Sequence, residues 1–343
     1  MALKRITMQD IADACGLSRN TVSKIFNERG SVPEATRRLV LTKARELGYS
    51  ASPAGIGLPG SAGSGTVAVL TQHKLLSHTF GAYFITSFTD QLSRFGYTIK
   101  MYEVSAGEIA AKELPPHLLV EQIAAILVIE LFDREYLDMI CSLQKPTVFV
   151  DGYARMSAAP LGCDFISMEN VSSETALVRR MIAAGARRLG FVGDCEHCNS
   201  FYERHAAFRA VLGEAGLPYD PSLCILAPDS ELYGDSAWLL RQLAAMPSIP
   251  DGFACANDYL AIRLMGALKK LGLSIPGDVL LTGFDGSPEA AIVEPSLTTA
   301  RIPSAELGRL AAVLLSERIR LPEFPFVRTY VKTAPIWGNS TVR

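Results

Sequence analysis

Arg19, Asn20, Ser23 and Lys24 fall on one side of a short helical stretch, and their side chains match what nucleic-acid bases and phosphates present. Arginine pairs in bidentate fashion with guanine, and asparagine with adenine. The same stretch supplies an apolar side in Val22, Ile25 and Phe26, so the polar residues are left for solvent or a groove. Thr21, Ser23 and Arg37 suit phosphate oxygens, and Thr7 and Asn27 complete the candidate DNA-contacting set.

A second polar set follows strand-like runs much later in the chain. Glu130 follows Ala125–Ile129, Asp151 follows Thr147–Val150, and Asp194 follows the run ending at Gly193. Asn257, Asp258 and Asp285 end two further runs. Ligands of open α/β sheets bind outside the carboxyl ends of the strands, and carboxylates with amides there suit a polyhydroxyl ligand. Asn257 or Asp258 equally fits a helix cap.

Elements able to hold these residues are legible. Thr7 with Asp10 forms a capping-box pattern before Met8, Ile11 and Cys15. Gly16 stops that helix, Leu17 plugs the turn, and Ser18 caps the helix carrying Arg19. A third helix is expected from Ser31-Val-Pro-Glu34 to Gly48, with Leu39, Val40, Ala44 and Leu47 closing a three-helix core. Such a head also fits a small helical docking module. Residues 1–60 carry nine Lys/Arg against five Asp/Glu, a net +4, leaving −6 for the rest of a chain whose total is −2. A basic cap on an acidic body is the asymmetry expected when one end meets phosphate.

Residues 50–65 hold five glycines and two prolines, a flexible linker and a domain boundary after a head of residues 1–49. The string Gly55-Ile-Gly57-Leu-Pro-Gly60 precedes the first strand instead of following one, so it is not a dinucleotide loop. Beyond it, strands and helices alternate, the pattern of a parallel α/β sheet. Strands are expected at 66–71, 97–102, 125–129, 147–150, 165–168, 189–192, 253–256 and 279–282, with helices at 81–95, 134–143, 172–185, 202–216 and 259–272. Two lobes are expected within residues 66–343, the first at about 66–165 and 298–327, the second at about 166–297 and 328–343.

The 343 residues are 49% hydrophobic, enough for a sizeable core. No apolar run reaches membrane-spanning length, and Met-Ala-Leu-Lys-Arg lacks a signal peptide's apolar stretch. Seven scattered cysteines do not form a disulfide framework, so a reduced, cytoplasmic protein is expected. Cys195-Glu-His-Cys198 falls short of a four-ligand metal site, and thiols of a pocket loop fit it better than metal or redox chemistry.

The chain resembles bacterial transcription regulators of the lactose- and galactose-repressor family along nearly its full length. The resemblance rests on Met8 to Lys24, Ala256-Asn257-Asp258, Gly283-Phe284-Asp285, Pro295-Ser-Leu-Thr-Thr-Ala300 and Leu307-Gly308. It implies a homodimer reading near-palindromic operator DNA, commonly a repressor, with a periplasmic-binding-protein-like core that closes on a small effector, usually a sugar. It places Arg204, Asn257 and Asp285 on that effector, with Asp151 at the rim of the first lobe. Phe80 and Phe84 fit either an apolar wall for a sugar ring or packing. No cofactor or metal is implied.

Three departures accompany the resemblance. Leu58 stands about where family members insert a hinge-helix leucine into the minor groove, but Pro53, Gly55, Gly57 and Pro59 surround it. Glycine costs about 1 kcal/mol and proline about 3 kcal/mol inside a helix, so no stable hinge helix is expected. Glu169-Asn170 and Gly185-Ala186-Arg187 replace Asp-Asn and Gly-His-Arg, and the tail 336–341 lacks the arginine usual there, with no tetramerising heptad repeat expected. Two other readings stay open: a DNA-binding protein with a non-functional pocket, and a cleft enzyme acting on a carbohydrate. Against the enzyme, no G-x-S-x-G, Walker loop or H-E-x-x-H string occurs.

Overall fold

Thr7 begins the first helix as the sequence predicts: its hydroxyl accepts the Asp10 N–H while the Asp10 carboxylate takes the Thr7 N–H at 2.7 Å. This computed structural model describes residues 7–26, 32–46, 65–72, 79–156, 162–228 and 231–343. Asn27, Leu58, the linker residues 50–64 and the expected helix signals at Ser31 and Gly48 lie outside the described residues. The head holds α1 (Met8–Cys15), α2 (Arg19–Phe26) and α3 (Glu34–Glu46). Gly16 ends α1 with φ +64°, the left-handed conformation for which glycine lacks a Cβ penalty. Ile11, Ala12, Val22, Ile25 and Val40 form the head core, with Met8, Cys15, Leu17 and Val32 packed around it. Leu39 departs from expectation at 52% exposure. It neighbours Val40, and successive helical residues point about 100° apart, so α3 turns only one of them inward.

The core, described by itself, begins with β1 (Gly65–Thr71), α4 (Thr79–Arg94), β2 (Tyr97–Glu103), α5 (Ala106–Ala111) and β3 (Ile123–Ile129). It continues through α6 (Arg134–Ser142), β4 (Thr147–Val150), β5 (Asp164–Glu169), α7 (Val171–Ala183), β6 (Leu189–Val192), α8 (Asn199–Glu214) and α9 (Ser236–Ala245). Then come β7 (Gly252–Cys255), α10 (Asp258–Lys270), β8 (Leu280–Thr282), α11 (Pro288–Ile292), β9 (Thr299–Arg301), α12 (Ser304–Arg320), β10 (Arg328–Lys332) and β11 (Ala334–Ile336).

The first lobe is built on a sheet ordered β10-β5-β4-β3-β1-β2. Its central strands pair in parallel and are apolar on both faces, as a sheet covered by helices requires. β2 stands at the edge, mostly exposed, which explains its alternating sequence. The second lobe carries the parallel sheet β6-β7-β8, with β9 and β11 as an antiparallel pair beside it.

Sheet pairing moves the lobe borders away from the sequence expectation. β5 and β10 pair with each other in the first sheet, although residues 166–168 and 328–332 were expected in the second lobe. β9 joins β11 and bridges to Asp285, so it belongs to the second lobe. Strand existence follows from local patterning, whereas strand partners depend on contacts more than a hundred residues apart. Short helices α5, α9 and α11 were not expected; none has a long apolar stripe to announce it.

Among the described residues the chain passes between the lobes at 169–171, 301–304 and 332–334. The Thr333 hydroxyl joins two of these passages, lying 2.7 Å from both the Glu169 carbonyl and the Ser173 hydroxyl. α12 packs on β3, β4 and β5 and is anchored by Arg318. The Arg318 guanidinium forks onto Asp164 at 2.8 and 2.9 Å and donates to the Pro322 and Pro325 carbonyls. Asp164 also takes the Val327 N–H at 2.9 Å, tying α12 to the start of β10. No described helix is long and apolar enough to cross a membrane.

Candidate functional site

In the head, Ser18 fixes where α2 begins. Its oxygen accepts the Thr21 N–H at 3.1 Å and lies 2.9 Å from the Thr21 hydroxyl. With Val22 and Ile25 drawn into the core, Arg19, Asn20 and Lys24 are exposed, and Thr21, Ser23 and Arg37 are half-buried. Arg19 and Asn20 occupy the first turn, the end of a recognition helix from which side chains reach base edges. Thr7 and Thr21 spend their hydroxyls partly on capping, a structural duty alongside any phosphate contact.

In the core, polar groups gather where the two lobes face each other. Arg204 of α8 is 2% exposed, and its Nε donates to Asn170 Oδ1 at 2.9 Å and its Nη1 to the Ala256 carbonyl at 2.6 Å. Nη1 also lies 3.7 Å from Asp285 Oδ1, and the guanidinium carbon sits 3.7 Å from the Phe284 ring centre. No described group takes up its Nη2. Asn170 is itself held by donating to Glu203 Oε2 at 2.8 Å, so the arginine is oriented by a bonded support. Asn257 caps α10, its Oδ1 accepting the Leu260 N–H at 2.9 Å, which leaves its NH₂ donors without a described partner.

Carboxylates outnumber cations here. Asp151 follows β4 with one carboxylate oxygen enclosed and unpartnered, and burial pushes its pKa up to about 6 despite the Ser200 hydroxyl and the Arg204 charge. Glu130, Asp151 and Asp285 have φ of 52°, 59° and 134°, conformations that non-glycine residues rarely hold. Such strain concentrates at ligand clamps and active sites, and all three residues lie just past strand ends. Gly283 needs its missing Cβ, because a methyl there would collide with the Asp258 carboxylate. Asp258 is structural: it accepts Thr299 Oγ1 at 2.5 Å and Ser287 N at 2.8 Å, tying α10 to β9.

The lobes touch across this region. The Asn199 N–H donates to the Gly152 carbonyl at 2.8 Å, and the Tyr330 hydroxyl to Glu203 Oε1 at 3.2 Å. Arg155 forks onto Glu196 at 2.7 and 2.6 Å, and the Phe132 and His197 rings meet edge to face at 4.8 Å. The Arg155–Glu196 pair is exposed, and such pairs contribute at most about 1 kcal/mol. Arg155→Ala is therefore expected to leave folding stability nearly intact while raising the open-to-closed ratio of the lobes by about fivefold. Small-angle scattering or an interlobe distance label reads this, and an unchanged distribution would show that the pair does not latch the cleft.

Arg204, Asn257, Asp285 and Asp151 are thus brought to one region, while Phe84 is not. Phe84 is fully buried in α4, its ring stacked on Phe88 at 6.0 Å and its backbone carbonyl lying against Gly308 of α12. A side chain with no accessible surface offers nothing to a ligand; its spacing from Phe80 and Phe88 reflects packing. Phe80 is half-buried beside it. The Asp194 carboxylate accepts the Glu196 N–H at 2.9 Å and shapes the turn into α8. Sequence reasoning passed over Ser200 and Glu203, which precede Arg204 on α8 and adjoin its support Asn170. Helical spacing would have placed Ser200 on the Arg204 face, four residues back. Cys198 caps α8 through its sulfur, and burial pushes the Cys195 thiol up to about 12 and the Cys198 thiol well above its ordinary value, the reverse of a reactive redox pair.

Residues 7–52 match bacterial regulatory proteins of the lacI family, and residues 178–341 match the periplasmic-binding-protein-like domain. The chain is 28% identical over 342 residues to the HTH-type transcriptional regulator GalR of Streptococcus thermophilus, covering 98% of this chain and 99% of that one. Among solved structures, a transcriptional regulator CelR–cellobiose complex matches with a TM-score of 0.68 at 24% identity, covering 98% of this chain and 100% of the other. A lac repressor dimer bound to operator and the anti-inducer ONPF matches with a TM-score of 0.68 at 20% identity, over 99% and 100% of the two chains. At those identities the structural likeness establishes the fold alone, and the relatives are named as transcription regulators, not enzymes. The chain thus carries a helix-turn-helix domain of the lacI family of bacterial regulatory proteins at residues 7–52 and a periplasmic-binding-protein-like domain at residues 178–341.

Proposed function

We propose that this transcription regulator binds operator DNA as a homodimer and that a small polyhydroxylated metabolite, a sugar or sugar derivative, sets its DNA affinity from between the two lobes. Each head inserts α2 into a major groove, Arg19 and Asn20 reading bases and Lys24 beside them, with Thr21, Ser23 and Arg37 on phosphates. The observation carrying the effector reading is Arg204, buried and fixed by Asn170 and Ala256, its Nη1 3.7 Å from Asp285 Oδ1 and its Nη2 taken up by no described group, with Asn257 next in sequence to Ala256. Donors and acceptors interleaved in this way pair with hydroxyls, each of which needs one of both. A metabolite that fits the closed lobes better than the open ones shifts that equilibrium, and the same differential affinity couples it to DNA.

Two measurements test this. Arg19→Ala and Asn20→Ala are each expected to lower operator affinity by about 1–3 kcal/mol and relax base preference. A gel-shift series giving unchanged affinity and preference in both variants rejects the head assignment. Thermal shift against a carbohydrate panel tests the cleft, since a ligand at 100 times its Kd stabilises the fold by about 2.7 kcal/mol. That shift should vanish in Arg204→Met. A panel with no hit while DNA still binds favours a constitutive regulator.

A further inference from the structure

Away from the cleft, Cys141 at the end of α6 and Cys163 just before β5 bring their sulfurs to 3.2 Å. We propose that this pair is a modification site, a dithiol that hydrogen peroxide or a related two-electron oxidant converts to an intramolecular Cys141–Cys163 disulfide. The two residues are 22 positions apart and belong to different elements, so their meeting is a property of the folded lobe.

The two thiols are unequal. Cys141 is partly exposed, and its bond with the Cys163 thiol holds its pKa below the usual thiol value against the opposing effects of burial and Asp138. The Gly162 N–H points the same way. Cys163 is buried, and its bond with Cys141, its burial and the nearby Asp164 push its pKa up. One sulfur is therefore prepared as the attacking thiolate and the other as the resolving thiol, the arrangement of an oxidisable pair.

The chemistry balances without a cofactor. The Cys141 thiolate attacks one peroxide oxygen, the O–O bond breaks, and a sulfenic acid and hydroxide form, the latter taking a proton to become water. The Cys163 sulfur then attacks the sulfenic sulfur and the hydroxyl leaves with the Cys163 proton as a second water. Two thiols are oxidised by two electrons and one peroxide is reduced. Forming the bond brings the two sulfurs from 3.2 Å to about 2.05 Å. The product would staple α6 to β5 next to the Arg318–Asp164 fork.

The test uses the full chain treated with hydrogen peroxide, quenched by alkylation and mapped as non-reduced peptides. The expected result is a cross-linked peptide joining Cys141 to Cys163, released by dithiothreitol, with a rise in melting temperature before reduction. Cys163→Ala, a small apolar replacement at a buried site, should accumulate oxygen adducts on Cys141 instead, and Cys141→Ser should give no cross-link. Circular dichroism establishes that both variants fold; if either does not, alkylation competition in the wild-type chain decides by showing whether Cys141 and Cys163 are lost together. Peroxide that oxidises Cys141 in the wild-type chain only to sulfinic acid, or that links other cysteines in preference, overturns the proposal.

Discussion

Arg318→Met is expected to destabilise the core by about 3–5 kcal/mol, because the substitution leaves the Asp164 carboxylate buried without its counter-charge. Asp164 is fully buried and Arg318 is 5% exposed, so water does not substitute for either partner. The arginine does more than neutralise. It also satisfies the carbonyls of Pro322 and Pro325 in the turn between α12 and β10, with its guanidinium 4.7 Å from the Phe326 ring centre. Removing both charges in Arg318→Met/Asp164→Leu is expected to recover only part of the loss. An ion pair replaced by apolar groups is often tolerated, but here the Val327 N–H and the carbonyls of Pro322, Phe324 and Pro325 lose partners as well. Urea unfolding measures both variants. A single-variant loss below about 1 kcal/mol would mean that water reaches the pair and that α12 is held by packing alone.

Glu174→Gln is expected to act in the opposite direction and to change how stability depends on pH. Glu174 lies buried in α7 with neither carboxyl oxygen hydrogen-bonded, and burial pushes its pKa up to about 8 against the attraction of Arg204. An unfolded chain releases this proton near the ordinary glutamate value, whereas the folded chain keeps it until about pH 8. Between those values the unfolded state binds fewer protons, so stability falls as pH rises. Asp151, raised to about 6, adds to the same slope over its own narrower window. Glutamine keeps the shape and removes the ionisation. The variant should match the wild-type chain near pH 4.5 and exceed it by about 3 kcal/mol at pH 8. Parallel stability–pH curves for the two chains would show that the folded site solvates the Glu174 charge.

The head was legible from sequence because its signals are local. Thr7, Gly16 and Ser18 announce ends and turns within a few residues of where they act, and Ile11, Val22 and Ile25 recur at helical spacing. The cleft was half legible. Residues just past strand ends were found by position alone, and three of them proved to hold strained backbone. What escaped is what tertiary contact decides. Asn170 became important only because Arg204, 34 residues later, bonds to it, and Phe84 is fully buried in a helix whose backbone lies directly against Gly308 of α12. Lobe membership of β5, β9 and β10 escaped for the same reason, since a strand's own residues do not name its partner. Glu174 gave no signal, because a glutamate on an otherwise ordinary amphipathic helix reads as a solvated residue.

The three passages between the lobes limit what a bound metabolite is able to communicate. A single connecting strand would permit swivel, slide and bend, and an effector's influence would be spread over all of them. Here separate chain segments cross side by side, and Thr333 ties two of them together through Glu169 and Ser173. Shearing would stretch one passage while compressing its neighbour, so the cheap motion is the one all passages share. The core then behaves as a lever with one coordinate, and ligands of different shape report as different settings of a single dial.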